Sequence, residues 1–191
     1  MPCDPPEPKS TEPKSTESLR IFLTGYRGTG KTSVGRILAD LLNVAFLDTD
    51  HLVQEQCGRT IAMIVKQKGW EGFRTLEKRV LNDTAGTERC VVATGGGIVL
   101  DRDNVDFMKL NGTVVWLTAP EAIIIRRITG DAASLDLRPS LTGQAMKQEV
   151  AATLSQRTPL YRRAADVTVD TSLEDVYGVA DQIKRRIDNG R

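Results

Sequence analysis

A chain of 191 residues holds one ordinary globular domain and is too short for two comfortable ones. Its 40% apolar content can fill a core, while 26 Lys and Arg against 25 Asp and Glu leave no overall electrostatic case for nucleic acid or an anionic membrane as partner. No stretch reaches the roughly 18 apolar residues of a bilayer-spanning helix or reads as a secretory leader, and three scattered cysteines describe no disulfide framework, so a reducing cytoplasm is the expected setting.

Residues 1–18 stand apart. They repeat EPKST twice and are dominated by Pro, Glu, Lys, Ser and Thr, with almost nothing to bury against the entropy of ordering a backbone. The acids Asp4, Glu7, Glu12 and Glu17 argue against an organelle transit peptide, so the segment is expected to be a disordered tail and residues 19–191 the folded domain.

From residue 19 onward, short β-rich runs alternate with helical patterns. A buried strand is expected over 19–24, then a glycine-rich turn and a helix over 31–42. A second strand covers 45–47 and ends at Asp48; residues 52–84 are helical in pieces, broken near Gly58 and Gly69. CVVAT at 90–94 is a third strand stopped by Gly95, Gly96 and Gly97, and TVVWL at 113–117 is a fourth, followed by Pro120 where a helix can start. DVTV at 166–169 is a fifth, and the last helix places Val176, Val179, Ile183 and Ile187 on one face. This alternation implies an α/β fold, a parallel sheet covered on both faces, with ligands outside the carboxyl ends of its strands. One stretch breaks the rhythm: 130–143 is polar, small-residue rich and bounded by glycines, as lids and binding loops are.

The turn after the first strand reads GYRGTGKT and fits G-x-x-x-x-G-K-[ST] at every fixed position. Gly25, Gly28 and Gly30 let backbone N–H groups face phosphate oxygens, and the following helix adds its positive end. In that pattern Lys31 reaches the β- and γ-phosphates and the Thr32 hydroxyl ligates Mg²⁺, with Thr29 and Ser33 beside them. A strand before the motif and a helix after it make a chance match rare. Nucleotide binding follows, but not the choice between kinase, GTPase and ATPase.

Three further features bear on that choice. Asp48 and Asp50 lie two apart, so in extended chain they point the same way: one carboxylate for Mg²⁺ through water, the other for an acceptor hydroxyl and its proton. The competing explanation is an Asx turn capping a helix that begins at His51-Leu52. Arg74 and Glu77 share a helix face; they could form a surface ion pair of little worth, or the Glu could fix the Arg fork against a substrate carboxylate. Three consecutive glycines require either a plain turn or close approach of the backbone to a ligand. His51, the single histidine, reads as a surface residue at a helix start. Arg126 and Arg127 either contact phosphate or simply complement the end of a helix dipole.

Taken together, GYRGTGKTSVGR, LDTD, GFRTLE, ATGGGIVL, LRPSL and QRTPLYRRAAD resemble shikimate kinases, in the expected order and over about residues 19–188. The first motif is shared with many nucleotide-binding proteins; the combination is specific to this family. The resemblance implies a nucleoside-monophosphate-kinase-like P-loop fold: a three-layer sandwich with a five-stranded parallel sheet and a mobile lid over about 129–143. It implies MgATP as phosphoryl donor and shikimate as acceptor, phosphorylated at its 3-hydroxyl. Carried over by residue, Asp50 would hold the acceptor hydroxyls, Arg74 and Arg157 would grip the carboxylate, and Gly96 with Gly95 and Gly97 would bring backbone to the substrate. Lys31 and Arg138 would neutralise charge on the transferring group, Thr32 would ligate Mg²⁺ directly and Asp48 through water. A phosphate loop cradled by Gly28, Thr29, Gly30, Lys31, Thr32 and Ser33, no protein nucleophile, and a monomer are the remaining implications. Residues 170–174 carry neither the basic residue nor the proline that some members place beside adenine, so backbone contacts are expected there. The competing expectations are a gluconate-type kinase on the same fold, a ligand-binding relative without activity, and a nucleic-acid-binding ATPase; the last is disfavoured by neutral charge and few aromatic residues.

Overall fold

The computed structural model describes residues 19–130 and 146–189. The EPKST tail and most of the expected lid, Arg138 included, lie outside the described residues.

Five strands form one sheet in the order β2-β3-β1-β4-β5, every pair parallel. They are β1 (Leu19–Thr24), β2 (Ala45–Asp48), β3 (Arg89–Ala93), β4 (Thr113–Thr118) and β5 (Val167–Asp170). Successive side chains of a strand point to opposite faces, and the two cores follow that period. Ile21, Leu23, Val91, Val115 and Leu117 pack on one side with Val34 and Leu38 of α1 (Lys31–Leu42) and with Val179 and Ile183 of α7 (Val176–Asp188). Phe22, Val92, Val114 and Trp116 face the other way, against Leu81, Met108 and Tyr161. Those three come from α3 (Ile61–Asp83), α4 (Arg102–Asn111) and α6 (Met146–Ala164). The three-layer sandwich expected from the alternating pattern is present.

The remaining helices, α2 (Thr49–Cys57) and α5 (Glu121–Gly130), sit at the carboxyl edge. Val53 of α2 and Ile61, Ile64, Phe73 and Val80 of α3 form a separate small core. The break expected near Gly58 is the end of α2, and the one near Gly69 is a kink within α3, at φ 71° and ψ 177°. That backbone conformation is open to glycine and strained for other residues.

Several expectations are corrected. α2 begins at Thr49, two residues before the expected start, because Asp48 caps it. Val176 is 39% exposed and does not join the buried stripe of Val179, Ile183 and Ile187; Ala180 does. Thr129 and Gly130, expected at the start of the lid, complete α5. Two helices lacked a clear sequence signal. In α4 only Asn104 and Met108 are fully buried, too few for an apolar stripe, and α6 carries Pro159 within it.

Candidate active site

Two clefts open at the carboxyl edge of the sheet, and Asp50 and Arg27 line both.

The first cleft is built on the turn between β1 and α1. Gly28, Gly30, Lys31, Thr32 and Ser33 line it, with Arg127 opposite. Gly25, Gly28 and Gly30 all have positive φ, and Gly30 is the N-cap of α1, so the first turn of the helix opens onto the cleft. Lys31 Nζ donates to the carbonyls of Gly25 and Tyr26 at 2.8 and 3.0 Å, folding back over the loop. Thr29 is turned inward: it is 1% exposed, and its hydroxyl and N–H both donate to the Tyr26 carbonyl, so it holds the turn and does not line the cleft.

The capping weighed for the aspartate pair is present. Asp48 ends β2, and its Oδ1 accepts from the N–H groups of Asp50 (3.1 Å) and His51 (3.2 Å), which caps α2. Its Oδ2 meanwhile accepts from the Thr32 hydroxyl at 2.8 Å. A carboxylate and a hydroxyl together beside a phosphate loop are the hard oxygen donors Mg²⁺ takes from protein, few in number because phosphate and water supply the rest. Asp50 therefore lies in the first turn of a helix, not in extended chain.

Arg127, of the two adjacent arginines, is the one turned inward. It donates to the Gly28 carbonyl (3.3 Å), the Thr171 hydroxyl (2.8 Å) and the Thr171 carbonyl (2.7 Å), tying the phosphate loop to the loop after β5, while Arg126 is exposed. His51 is exposed too, 3.2 Å from Glu55 one turn along α2.

The second cleft gathers distant segments: Asp50 of α2, Trp70, Phe73, Arg74 and Glu77 of α3, Gly95–Gly97 after β3, and Arg157 of α6. Arg74 donates to Glu77 Oε2, and its guanidinium also lies over the rings of Phe73 (5.3 Å) and Trp70 (5.7 Å). Glu77 is 1% exposed and its Oε1 has no hydrogen-bond partner. Burial pushes its carboxyl above the ordinary range, against the pull of Arg74, Arg157 and Lys31. The pair is thus not the surface ion pair of the simpler reading.

The triple glycine has a steric cause. A Cβ on Gly95 would collide with Glu77 Oε1, and one on Gly97 with the Arg74 guanidinium. The chain comes close to side chains that build the cleft, so neither position accepts even a methyl group without displacing them. Gly95 N–H donates to the Thr49 hydroxyl at 3.0 Å, and the Gly96 carbonyl accepts from Arg157 Nη1 at 3.1 Å and from the Tyr161 hydroxyl. Tyr161 is fully buried and its phenol is pushed up to about 12, chiefly by that burial, so it stays a donor. Every described residue singled out for the acceptor faces this one cleft. Sequence reasoning overlooked Arg27, Glu149 and the anchoring role of Tyr161; Arg27 stands at a position the phosphate-loop spacing leaves free.

The shikimate kinase family model matches residues 27–188. The chain belongs to the shikimate kinase family. It is 46% identical over 183 residues to a shikimate kinase of Syntrophus aciditrophicus (strain SB), covering 92% of this chain and 94% of the relative. Among solved structures, the shikimate kinase of Acinetobacter baumannii in complex with shikimate superposes with a TM-score of 0.84 at 37% identity, covering 92% of this chain and 96% of that one. The Bacteroides thetaiotaomicron shikimate kinase gives 0.80 at 31% identity, covering 89% and 98%. The chain is a kinase of this family, an enzyme that moves a phosphoryl group from ATP to an alcohol.

Proposed function

We propose that this chain transfers the γ-phosphate of MgATP to the 3-hydroxyl of shikimate, giving shikimate 3-phosphate and ADP, a step toward chorismate and the aromatic amino acids. One observation carries the reading. Asp50 lies at the junction of the phosphate-loop cleft and the cleft that holds Arg74 and Arg157, so a hydroxyl beside it would sit between a triphosphate and a carboxylate grip. The names of the relatives support shikimate over the gluconate-type alternative.

In this reading the loop N–H groups and α1 bind the phosphates. Arg74 and Arg157 bind the substrate carboxylate, with Glu77 and the neighbouring rings fixing the Arg74 fork and the Gly96 carbonyl orienting Arg157. Gly95, Gly96 and Gly97 bring backbone against the ring. Asp50 orients the 3-hydroxyl and accepts its proton as the oxygen attacks the γ-phosphorus and the bond to the bridging oxygen of ADP breaks. Lys31 leaves its loop carbonyls for the phosphates, and Arg138 joins it in neutralising the transferring group. Thr32 directly and Asp48 through water would hold Mg²⁺, which supplies charge screening between the phosphates. No protein nucleophile takes part.

We also propose that residues 19–191 are the catalytic domain, closed by a lid over about 131–143, and that it works as a cytoplasmic monomer on small molecules, without nucleic acid or membrane. Near-neutral charge supports this, and among the described residues no helix is long and apolar enough to cross a membrane. Deleting residues 1–17 should leave turnover and melting temperature nearly unchanged; a large loss would show the tail to be part of the fold.

The deciding experiment is coupled ADP release by the purified chain with shikimate, quinate or gluconate as acceptor. Release dependent on shikimate is expected. Turnover of gluconate with shikimate inert would overturn the reading.

A further inference from the structure

The phosphate-loop spacing leaves its third residue free, and here that residue is Arg27. Its side chain lines both clefts, a property it shares, among the described residues, with Asp50 alone. Where the two clefts share their lining, the chain thus places one carboxylate and one cation. Arg27 is also held. Its Nη2 lies 3.2 Å from Oε1 of Glu149, which is 2% exposed in the first turn of α6, the helix that carries Arg157. The Arg27 side chain is itself only 16% exposed, and its Nε is buried without a partner.

A buried ion pair is a poor way to gain stability, because desolvating two charges offsets most of their attraction. It is a good way to fix a guanidinium in one orientation, since the planar fork loses its freedom against a single carboxylate. The guanidinium has five N–H donors, and Glu149 Oε1 occupies only one edge of it.

We propose that Arg27 is a further catalytic cation, contacting the phosphoryl group in transfer, and that Glu149 is the positioning residue that aims it. The proposal rests on the phosphotransfer reading above. Charge on the equatorial oxygens is spread during transfer, and catalysis consists mainly of placing cations around it. Lys31 approaches from the phosphate loop's own helix; Arg27 adds a donor array from the side of the acceptor. The contact strengthens as the group moves toward Asp50, so it should act on turnover more than on either substrate's binding.

The test compares the full-length parent with Arg27→Met, Glu149→Gln and the double variant in the shikimate-dependent ADP-release assay, with melting temperature followed alongside. Arg27→Met should lower kcat by on the order of 100-fold, with KM for ATP and shikimate changed by less than about 3-fold. Glu149→Gln should lower kcat by about 5-fold through loss of aim. In the Arg27→Met background the same substitution should leave kcat nearly unchanged, because no guanidinium remains to be aimed. That loss of effect distinguishes aiming from a mere tie between loop and helix, which would change melting temperature and leave kcat alone. The double variant keeps the test valid if Arg27→Met folds badly, because it removes the charge of Glu149 together with the cation that Glu149 bonds. Parental kcat in Arg27→Met, or losses that multiply in the double variant, would overturn the proposal alone. A parent inactive toward shikimate would overturn the phosphotransfer reading and this proposal with it.

Discussion

The two clefts meet at Asp50 and Arg27 but are made in different ways. The nucleotide side comes from one continuous turn and the helix after it, and its main recognition groups are backbone N–H groups fixed by chain geometry. The acceptor side is assembled from α2, α3, the turn after β3 and α6, and its recognition groups are side chains held by other side chains. Backbone recognition tolerates change at neighbouring residues. A cup of mutually supporting side chains does not: Arg74 leans on Glu77, Glu77 crowds Gly95, and Arg74 crowds Gly97. Substitutions on the acceptor side should therefore separate binding from turnover cleanly while nucleotide affinity stays nearly constant.

The largest separation is expected at the junction. Asp50→Asn keeps the shape and loses the proton acceptor, so kcat should fall by about 10²–10⁴. Nucleotide affinity, measured by calorimetry with ADP, should stay within a few-fold of the parent. If turnover survived, the hydroxyl would need another base and the assignment of Asp50 would be wrong.

Arg74→Lys should have a smaller effect of a different kind. Lysine keeps the charge but cannot offer a fork to a carboxylate while bonding Glu77 and holding its charge over Phe73 and Trp70. Losing a charged hydrogen bond of about 1.5–3 kcal/mol corresponds to a rise of roughly 10- to 150-fold in KM for shikimate. A KM equal to the parent's would remove Arg74 from the carboxylate grip.

The same contrast explains what could be read before the structure. The turn after β1 was legible from spacing along one segment, except that Thr29, expected in the phosphate cradle, is turned inward and holds the turn. The acceptor residues were legible only together: Arg74 with Glu77 reads equally well as a surface pair, and it is the burial of Glu77 to 1% exposure, set by α3 packing on the sheet, that decides otherwise. The triple glycine signalled close approach but not to what, because Glu77 and Arg74 reach it from a helix distant in sequence. Arg27 and Glu149 were invisible for a related reason. Their partnership spans 122 positions, and neither belongs to a spaced motif. The central strands carry their own signal as short, almost continuously buried runs, as a sheet covered on both faces requires, whereas α4, with two fully buried residues, takes its place from the sheet it covers.

The smallest effect concerns Glu77, and it tests whether the acceptor cup is held together at a cost. Its carboxyl is raised above the ordinary value of 4.5 mainly because burial penalises the charged form, with Arg74 pulling the other way. Below pH 4.5 the group is protonated both folded and unfolded, and it imposes no penalty. Between 4.5 and the raised folded value, the folded chain holds a proton that the unfolded chain has released, so stability falls as pH rises, and above that window the loss is complete. Glu77→Gln has no such titration. Its melting temperature relative to the parent should therefore climb as pH increases from 4.5 and then level off, while above that window its KM for shikimate is raised because the Arg74 fork has lost its charged anchor. A relative melting temperature that instead dropped with pH would mean that Arg74 outweighs burial. The pair would then be a source of stability, and the view of the acceptor side as a strained, side-chain-built cup would fail.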